Sequence, residues 1–296
     1  MKMSLASIKS NWKLLGQGPK ALAPAFDQIH RAVQFIAMAG KHYVKKQADD
    51  SHTNLRWLPE EEVLAGNWIR ERKGNFRFAM HPKSMSLIVY NAGMEAVSEF
   101  TLHSKKNEEA LEWIKRQLKA FGKDASQMKM DIHYDIPSHK TDSGAVYDLN
   151  TPELFQEIAN YRANSNEVLE YFAQKFKTAS TVRTWPHHFD ISTDIPIVLN
   201  NKGEAAKSFS LGFAIADAVV DEPYFYITQW SANKDIDYTS AKPLTKGEWL
   251  PDTLGGAVLR ASTVSKSKTT QAQASIVIQY FKEGVDASLD LIDDKA

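Results

Sequence analysis

The chain has 296 residues, and its 36 lysine and arginine residues equal its 36 aspartate and glutamate residues in number. This balance excludes the strong electrostatic field that draws a protein onto nucleic acid or anionic lipid, so neither is an expected partner. The absence of cysteine excludes disulfides, thiolate nucleophiles and cysteine-bound metals, and it fits a reducing compartment, so the expected location is the cytoplasm.

The sequence also lacks the features of secretion and membrane insertion. The first 18 residues hold no apolar core before a cleavage site of small residues, and no later stretch approaches the roughly 18 apolar residues that span a bilayer. With 43% hydrophobic and 24% charged residues, the composition is typical of a globular protein with one large core or two ordinary ones. We therefore expect a globular protein without a membrane span.

The first half of the chain predicts a helix, a meander and a second helix. Apolar residues recur at three- and four-residue spacing over 19–46, which predicts an amphipathic helix. Four short runs separated by turn residues predict an antiparallel meander over 63–69, 75–80, 86–90 and 96–103. A helix capped by Asn107 is predicted over 107–122. Alternation of apolar and polar residues then predicts a half-buried strand over 130–136.

The second half of the chain repeats this order. A long helix is predicted from Thr151 and Pro152 onward, and residues 162–166 leave open a break within it. Strands are predicted over 182–192, 208–215, 224–230 and 256–263, with a polar loop at 231–254. The last predicted helix runs over 270–282 and ends near Gly284.

The predicted fold class is therefore α+β, with two lobes that are each an antiparallel β-meander packed with helices. The predicted domains are 1–136 and 151–296, joined by a linker at 137–150. Arg56-Trp57-Leu58-Pro59 opens the first meander and Arg183-Thr184-Trp185-Pro186 opens the second. Together with the shared element order, this pair leaves open an internal duplication.

Two segments of the second half carry a family resemblance. They are Thr184-Trp185-Pro186-His187-His188-Phe189-Asp190 and Glu222-Pro223-Tyr224-Phe225-Tyr226-Ile227-Thr228. Weaker matches occur elsewhere: His30, Gln34, Gly40-Lys41, Tyr147-Asp148, Gly247, Trp249 and Gly255-Gly256. The chain thus resembles an uncharacterised bacterial family, a domain of unknown function. The resemblance implies a fold and a bacterial, cytoplasmic setting, and it implies no activity.

The first segment supplies candidate metal ligands. If 186–192 is extended, His188 and Asp190 project from one face about 6.5 Å apart at the backbone, so both can reach one divalent metal ion. A third ligand is then needed. The alternatives left open for it are Glu222, His133, His30 and His139. In the purely structural interpretation, His188 instead donates a hydrogen bond to Asp190 or to a backbone carbonyl inside the sheet.

The second segment supplies candidate ligand-binding residues. Its Glu222, Tyr224, Tyr226 and Trp230 share one face of the predicted strand, and Trp185 comes from the first segment. An aromatic face beside a carboxylate can line a small-molecule pocket. The same aromatic residues can equally belong to the core, with their hydroxyl groups hydrogen-bonded at its edge.

Two functions from different classes therefore remain. The first is a small-molecule binding protein with an aromatic-lined pocket between the lobes. The alternative is a metal-assisted hydrolase or related enzyme that uses His188, Asp190 and a third ligand. The sequence has neither a Gly-x-Ser-x-Gly nor a His-Glu-x-x-His motif, and it leaves open whether the chain is an enzyme, which ligand it takes and how it oligomerises.

Overall fold

The computed structural model describes residues 3–72, 74–233 and 235–292. The helices are α1 (Leu5–Asn11), α2 (Ala23–Tyr43), α3 (Asn107–Ala120), α4 (Pro152–Ala173), α5 (Ala261–Ser265) and α6 (Thr270–Ile292). The strands are β1 (Arg56–Leu58), β2 (Val63–Ala65), β3 (Phe76–His81), β4 (Ser86–Asn91), β5 (Ala96–Thr101), β6 (Arg183–Trp185), β7 (Asp190–Leu199), β8 (Ala205–Ala214), β9 (Tyr224–Ser231), β10 (Glu248–Leu250) and β11 (Gly256–Arg260).

These elements confirm the predicted α+β class, with two separate antiparallel sheets of five and six strands. The chain divides into two compact units. Unit 1 comprises Met1–Ala23, Asn160–Val182 and Asp190–Ala296, and unit 2 comprises Pro24–Ala159 and Arg183–Phe189. The predicted domains 1–136 and 151–296, and the internal duplication, stay predictions. No helix within the described ranges is both long and apolar enough to cross a membrane.

Unit 2 contains the meander that the first half of the sequence predicts. Its strands β1 to β5 pair in chain order, each antiparallel to the next. Trp113 of α3 packs on Phe78 and Phe100, with ring centroids 6.2 and 5.8 Å apart, so the apolar face of the predicted helix covers one face of the sheet. The two Trp-Pro strands meet inside this unit, because Leu55 and Thr184 exchange backbone hydrogen bonds of 3.0 and 2.8 Å.

The long helix α2 is the buried centre of unit 2. Most of its residues between Ala25 and Gly40 are buried, including the polar side chains of His30 and Gln34. A buried helix of this kind needs hydrogen-bond partners for its polar side chains, and it needs small residues where the backbone of another segment approaches it closely. Gly40 meets the second need, since a Cβ there would overlap the carbonyl oxygen of His52. The loop after α2 can therefore fold back against the helix.

The predicted strand at 130–136 is wrong, although its burial pattern is confirmed. Residues from Met130 to Ile136 alternate between half-buried and exposed, but they pair with no strand in the described chain. Side chains hold this segment instead. Asp131 accepts from His42 at 2.7 Å, and Tyr134 donates to Gln34 at 2.7 Å. Alternation of apolar and polar residues shows that one side of an extended segment is buried, and it does not require the segment to form backbone hydrogen bonds with a neighbouring strand.

Unit 1 is a sheet covered by helices on one face. It holds five of the six strands of the second sheet, in the order β10–β11–β9–β8–β7 and each antiparallel to the next; the sixth strand of that sheet, β6, belongs to unit 2. The Tyr161 ring of α4 stacks on Phe213 at 5.1 Å, and Phe281 of α6 packs on Phe225 at 5.9 Å. Helix-side residues of this sheet are fully buried, as its alternating pattern predicts.

Two helices run further than the sequence predicts. α4 continues through 162–166, because Asn164 faces inward and exchanges 2.8 Å hydrogen bonds with the backbone of Lys13. α6 continues past Gly284 to Ile292. A Cβ on Gly284 would overlap the Cδ1 atom of Ile227, so this glycine allows close helix–sheet packing and does not end the helix.

Candidate functional site

A cavity of about 570 Å³ opens in unit 2, and four of the nine histidines of the chain lie on its wall. The lining residues are Lys41, His42, Lys46, Gln47, Ala48, Asp50, His52, His133, Tyr134 and His187. We call this cavity the histidine pocket. Its wall comes from four parts of the sequence: the last turn of α2, the loop after it, the segment around His133 and the turn after β6.

The loop after α2 is built to present Asp50 and His52 to the pocket. Asp50 has a φ of +59°, a left-handed conformation that Asp tolerates better than most residues. Its carboxylate also accepts a 3.1 Å hydrogen bond from the Thr53 hydroxyl. The loop therefore holds an otherwise uncommon backbone conformation in order to direct one carboxylate.

Gln34 of α2 fixes two other walls of the pocket. It is fully buried; its amide oxygen accepts from the Tyr134 hydroxyl at 2.7 Å, and its amide nitrogen donates to the Pro186 carbonyl at 2.7 Å. His30 lies within 2.9 Å of the same carbonyl through Nε2 and donates to it. The positions of Tyr134 and of the turn that carries His187 therefore both depend on α2.

Two imidazoles of the pocket are paired with carboxylates. His42 Nε2 lies 2.7 Å from Asp131 Oδ1, and His133 Nε2 lies 3.0 Å from Asp50 Oδ2. An ionised carboxylate only accepts hydrogen bonds, so each Nε2 carries the proton and each neutral ring has its lone pair on Nδ1. Both rings can therefore take up a second proton while keeping their carboxylate partner.

His52 differs from these two. Its Nδ1 accepts a 3.3 Å hydrogen bond from the backbone N–H of Gln47, so the proton of the neutral ring is on Nε2. Its side chain is 3% exposed, and burial lowers the pKa of His52, with Asp50 acting in the opposite direction. Burial therefore favours the neutral form of His52.

The charges around the pocket balance when the imidazoles are neutral. Lys41 lies 3.2 Å from Asp131, and Lys46 is exposed at the rim. Burial acts against ionisation of Asp131, but hydrogen bonds from His42 and Lys41 outweigh it and lower the pKa of this carboxyl. The charges of the two lysines therefore equal those of the two carboxylates, Asp50 and Asp131, and each protonated imidazole adds one positive charge.

The predicted strand over 182–192 is interrupted at 186–189, and the proposed His188–Asp190 pair loses its basis. Residues 186–189 form a turn, and β7 begins only at Asp190. Phe189 has a φ of +52° and is fully buried in unit 2, stacked 5.2 Å from His30, and this burial favours a turn over an extended chain. His188 is exposed in the turn.

Asp190 lies in unit 1 and has partners there. It is 8% exposed and accepts a 2.5 Å hydrogen bond from the Tyr226 hydroxyl. The fully buried Arg162 of α4 attracts it, and burial lowers the pKa of Arg162 to about 9 against this attraction. Tyr226 reaches Asp190 by lying across Gly212, which pairs with Tyr226 on one side and with Ser192 of β7 on the other.

Glu222, the third metal candidate, caps a helix. It accepts hydrogen bonds of 2.8 Å from both the N–H and the hydroxyl of Ser262 in the first turn of α5, so both carboxylate oxygens are engaged. Within residues 3–72, 74–233 and 235–292, no three His, Asp or Glu side chains are arranged to hold a metal ion. Metal binding by His188, Asp190 and Glu222 stays a prediction without geometric support.

The aromatic candidates are distributed over both units. In unit 1 the Tyr224 hydroxyl donates to Asp217 at 2.6 Å, its ring lies 6.2 Å from that of Tyr226, and Trp230 is 51% exposed. Burial raises the pKa of both tyrosines, so their hydroxyls stay protonated donors. Trp185 lies in unit 2, 6.0 Å from the His187 ring. Ligand binding by this set stays a prediction.

The histidine pocket itself was not predicted from the sequence. In the sequence analysis His133 is one of the alternatives for a third metal ligand, and the stretch that holds Asp50 and His52 carries no predicted site residue. One signal did point to it, since Gly40-Lys41 belongs to the family resemblance. Comparisons with protein families, with curated proteins and with solved structures found no match to this chain.

Proposed function

We propose that unit 2 binds small anionic molecules in the histidine pocket. One observation carries this proposal: six side chains that are cationic, or become so on protonation, line a single cavity. They are Lys41, His42, Lys46, His52, His133 and His187. The lysines attract an anion into this concave site, and protonated imidazoles add positive charge and N–H donors to the same wall.

The dimensions and the construction of the pocket support this proposal. A cavity of about 570 Å³ lies within the range of small-molecule sites, roughly 300–1,000 Å³. The buried hydrogen bonds of Gln34 to Tyr134 and Pro186 hold the wall in place before a ligand arrives. A preformed wall lowers the entropy that binding must overcome.

The residues of the family resemblance also support it. Gly40 permits the loop to fold back, Lys41 lines the cavity, and His30 and Gln34 hold the Pro186 carbonyl before His187. Residues that look unrelated in the sequence thus contribute to one site. This agreement favours an anion-binding role for the family that the chain resembles.

Thermal unfolding with added anions tests the proposal. Sulfate, phosphate and small carboxylates are compared at constant ionic strength, with chloride as the balancing anion. An anion that binds only the folded protein, at a concentration one hundred times its Kd, raises the free energy of unfolding by about 2.7 kcal/mol. Lys46→Gln should reduce this stabilisation, while Lys83→Gln, which removes an exposed lysine outside the pocket, should not. Equal stabilisation of both variants by every anion would contradict specific binding.

A second candidate function is acid–base catalysis, favoured by the two imidazole–carboxylate pairs. A carboxylate on Nε2 orients the ring and stabilises its protonated form, which leaves Nδ1 as a general base. We propose to screen small phosphate and carboxylate esters for hydrolysis. Activity should be lost in His133→Gln and should persist in His103→Gln, whose ring lies outside the pocket. Hydrolysis that survives His133→Gln would assign the reaction elsewhere.

A further inference from the structure

We infer that anion binding in the histidine pocket is coupled to proton uptake by His42 and His133. The preferred ligand is a doubly charged tetrahedral oxyanion, either free or as the phosphoryl group of a small molecule. This inference rests on the proposed anion-binding function. It adds the class of anion and a dependence of affinity on pH.

The charged side chains of the pocket balance one another while its imidazoles are neutral. Lys41 and Lys46 are offset by Asp50 and Asp131 while the imidazoles are neutral. A dianion entering this pocket would meet no net positive charge. Two protonated imidazoles supply two positive charges, which match the two charges of the ligand.

The hydrogen bonds of His42 and His133 to their carboxylate partners decide what each ring can offer an anion. With Nε2 donating to a carboxylate, neutral His42 and His133 present only an Nδ1 lone pair, and a lone pair repels an oxyanion. Protonation converts Nδ1 into a donor and leaves the bond to Asp131 or Asp50 in place. A bound oxyanion therefore stabilises the protonated form of each ring, and proton and anion bind cooperatively.

The remaining charged and titratable groups around these two rings do not replace them. From the loop after α2, His52 is buried and already accepts from Gln47, and Asp49 lies 3.7 Å from Arg183. From the segment at 131–135, burial raises the pKa of Tyr134, which stays a neutral donor to Gln34. From the turn after β6, His187 lies 5.6 Å from the Tyr134 ring and is the fourth imidazole of the pocket wall.

Histidine ring signals in NMR spectra test the inference on the unaltered protein. Sulfate is the probe, because it stays doubly ionised across the titration and brings no proton of its own. The pH titration is run with chloride alone and with sulfate at the same ionic strength. Sulfate should raise the midpoints of His42 and His133 and leave those of His81 and His103, which lie outside the pocket, unchanged.

The sign of the pH dependence follows from these midpoints. Sulfate should bind most tightly at pH values below the histidine titration midpoint of the free protein. Its affinity should fall as the pH rises from that midpoint to the midpoint of the sulfate complex. The association constant should fall about tenfold per pH unit for each proton taken up, and so about a hundredfold when both rings take part. His133→Gln should reduce this slope by one proton, and His103→Gln should not change it.

The outcomes separate the inference from the proposed function. Sulfate that shifts the pocket signals with an affinity independent of pH would overturn proton coupling and leave anion binding in place. Sulfate that shifts no pocket signal would overturn both. Equal midpoint shifts at His81 and His103 would show general surface binding and also overturn the inference. Finally, methyl phosphate binding as strongly as inorganic phosphate at one pH would identify a phosphoryl group as the recognised chemistry, whereas loss of binding on methylation would restrict it to the free ion.

Discussion

Replacement of Gly212 by Ala should strongly destabilise unit 1. A Cβ at this position would overlap ring atoms Cε1 and Cζ and the hydroxyl of Tyr226. The ring must then move, and its 2.5 Å hydrogen bond to the carboxylate of Asp190 is lost. Overpacking of a well-packed site costs about 1–3 kcal/mol. A lost hydrogen bond to a charged group costs about 1.5–3 kcal/mol. Together they predict a loss of about 2.5–6 kcal/mol in the free energy of unfolding.

A double-mutant cycle isolates the cause of this loss. Tyr226→Val removes the ring while keeping a residue that suits a strand, so an alanine at 212 then meets no clash. Gly212→Ala in the Tyr226→Val background should cost less than about 1 kcal/mol. The coupling energy between the two positions should therefore be at least about 1.5 kcal/mol.

Urea unfolding followed by circular dichroism measures these free energies, and native-state hydrogen exchange of the β8 and β9 amides assigns the loss to unit 1. Two results would refute the reasoning. One is a cost below about 0.5 kcal/mol for Gly212→Ala, the usual size of a surface substitution. The other is the same cost in both backgrounds, which would mean that alanine disturbs the strand and not the ring.

Three further predictions concern single side chains. Burial lowers the pKa of His139, so the unfolded chain binds a proton at this residue more readily than the folded protein does. Its contribution to the free energy of unfolding should be fully present above about pH 6.5 and should be lost as the pH falls below that value. Urea unfolding at a series of pH values should show a smaller decline for His139→Gln than for the unaltered protein. Glu222→Gln should cost about 0.5–2 kcal/mol as a lost cap on Ser262, with metal content in elemental analysis unchanged; loss of a bound metal would contradict the capping role. Gln34→Leu should weaken sulfate binding at least tenfold by releasing Tyr134, and an unchanged Kd in the NMR titration would show that the wall needs no such support.

Local periodicity predicted the four long helices α2, α3, α4 and α6 and most of the strands, because these elements bury one face over many residues, but it missed the short helices α1 and α5. Apolar residues recur about every 3.6 residues in α2 and α3 and every second residue in the meander of unit 2, and few other structures produce these spacings. The errors lie where a long-range contact decides. Phe189 turns the chain because its ring is buried against His30, and Gly284 lies mid-helix because Ile227 packs against it. Neither contact leaves a trace in the neighbouring sequence.

The histidine pocket was missed for a related reason. Its wall combines residues from α2, two irregular segments and one turn, and none of these pieces has a spacing that indicates a site. The predicted site instead used residues that are adjacent in sequence, His188 and Asp190. Adjacent residues share a face only when the backbone is extended, and the turn at 186–189 removes that condition. The metal-site prediction therefore depended on one local assumption about the backbone.

The short segment 183–189 belongs to unit 2, although the chain on either side of it belongs to unit 1. During synthesis, residues Asn160–Val182 of unit 1 are made between the rest of unit 2 and this segment, which carries His187. A fragment that ends before residue 183 should therefore expose the buried side chains of His30 and Gln34 that hold Pro186. Neither half of the gene, expressed alone, encodes a finished histidine pocket.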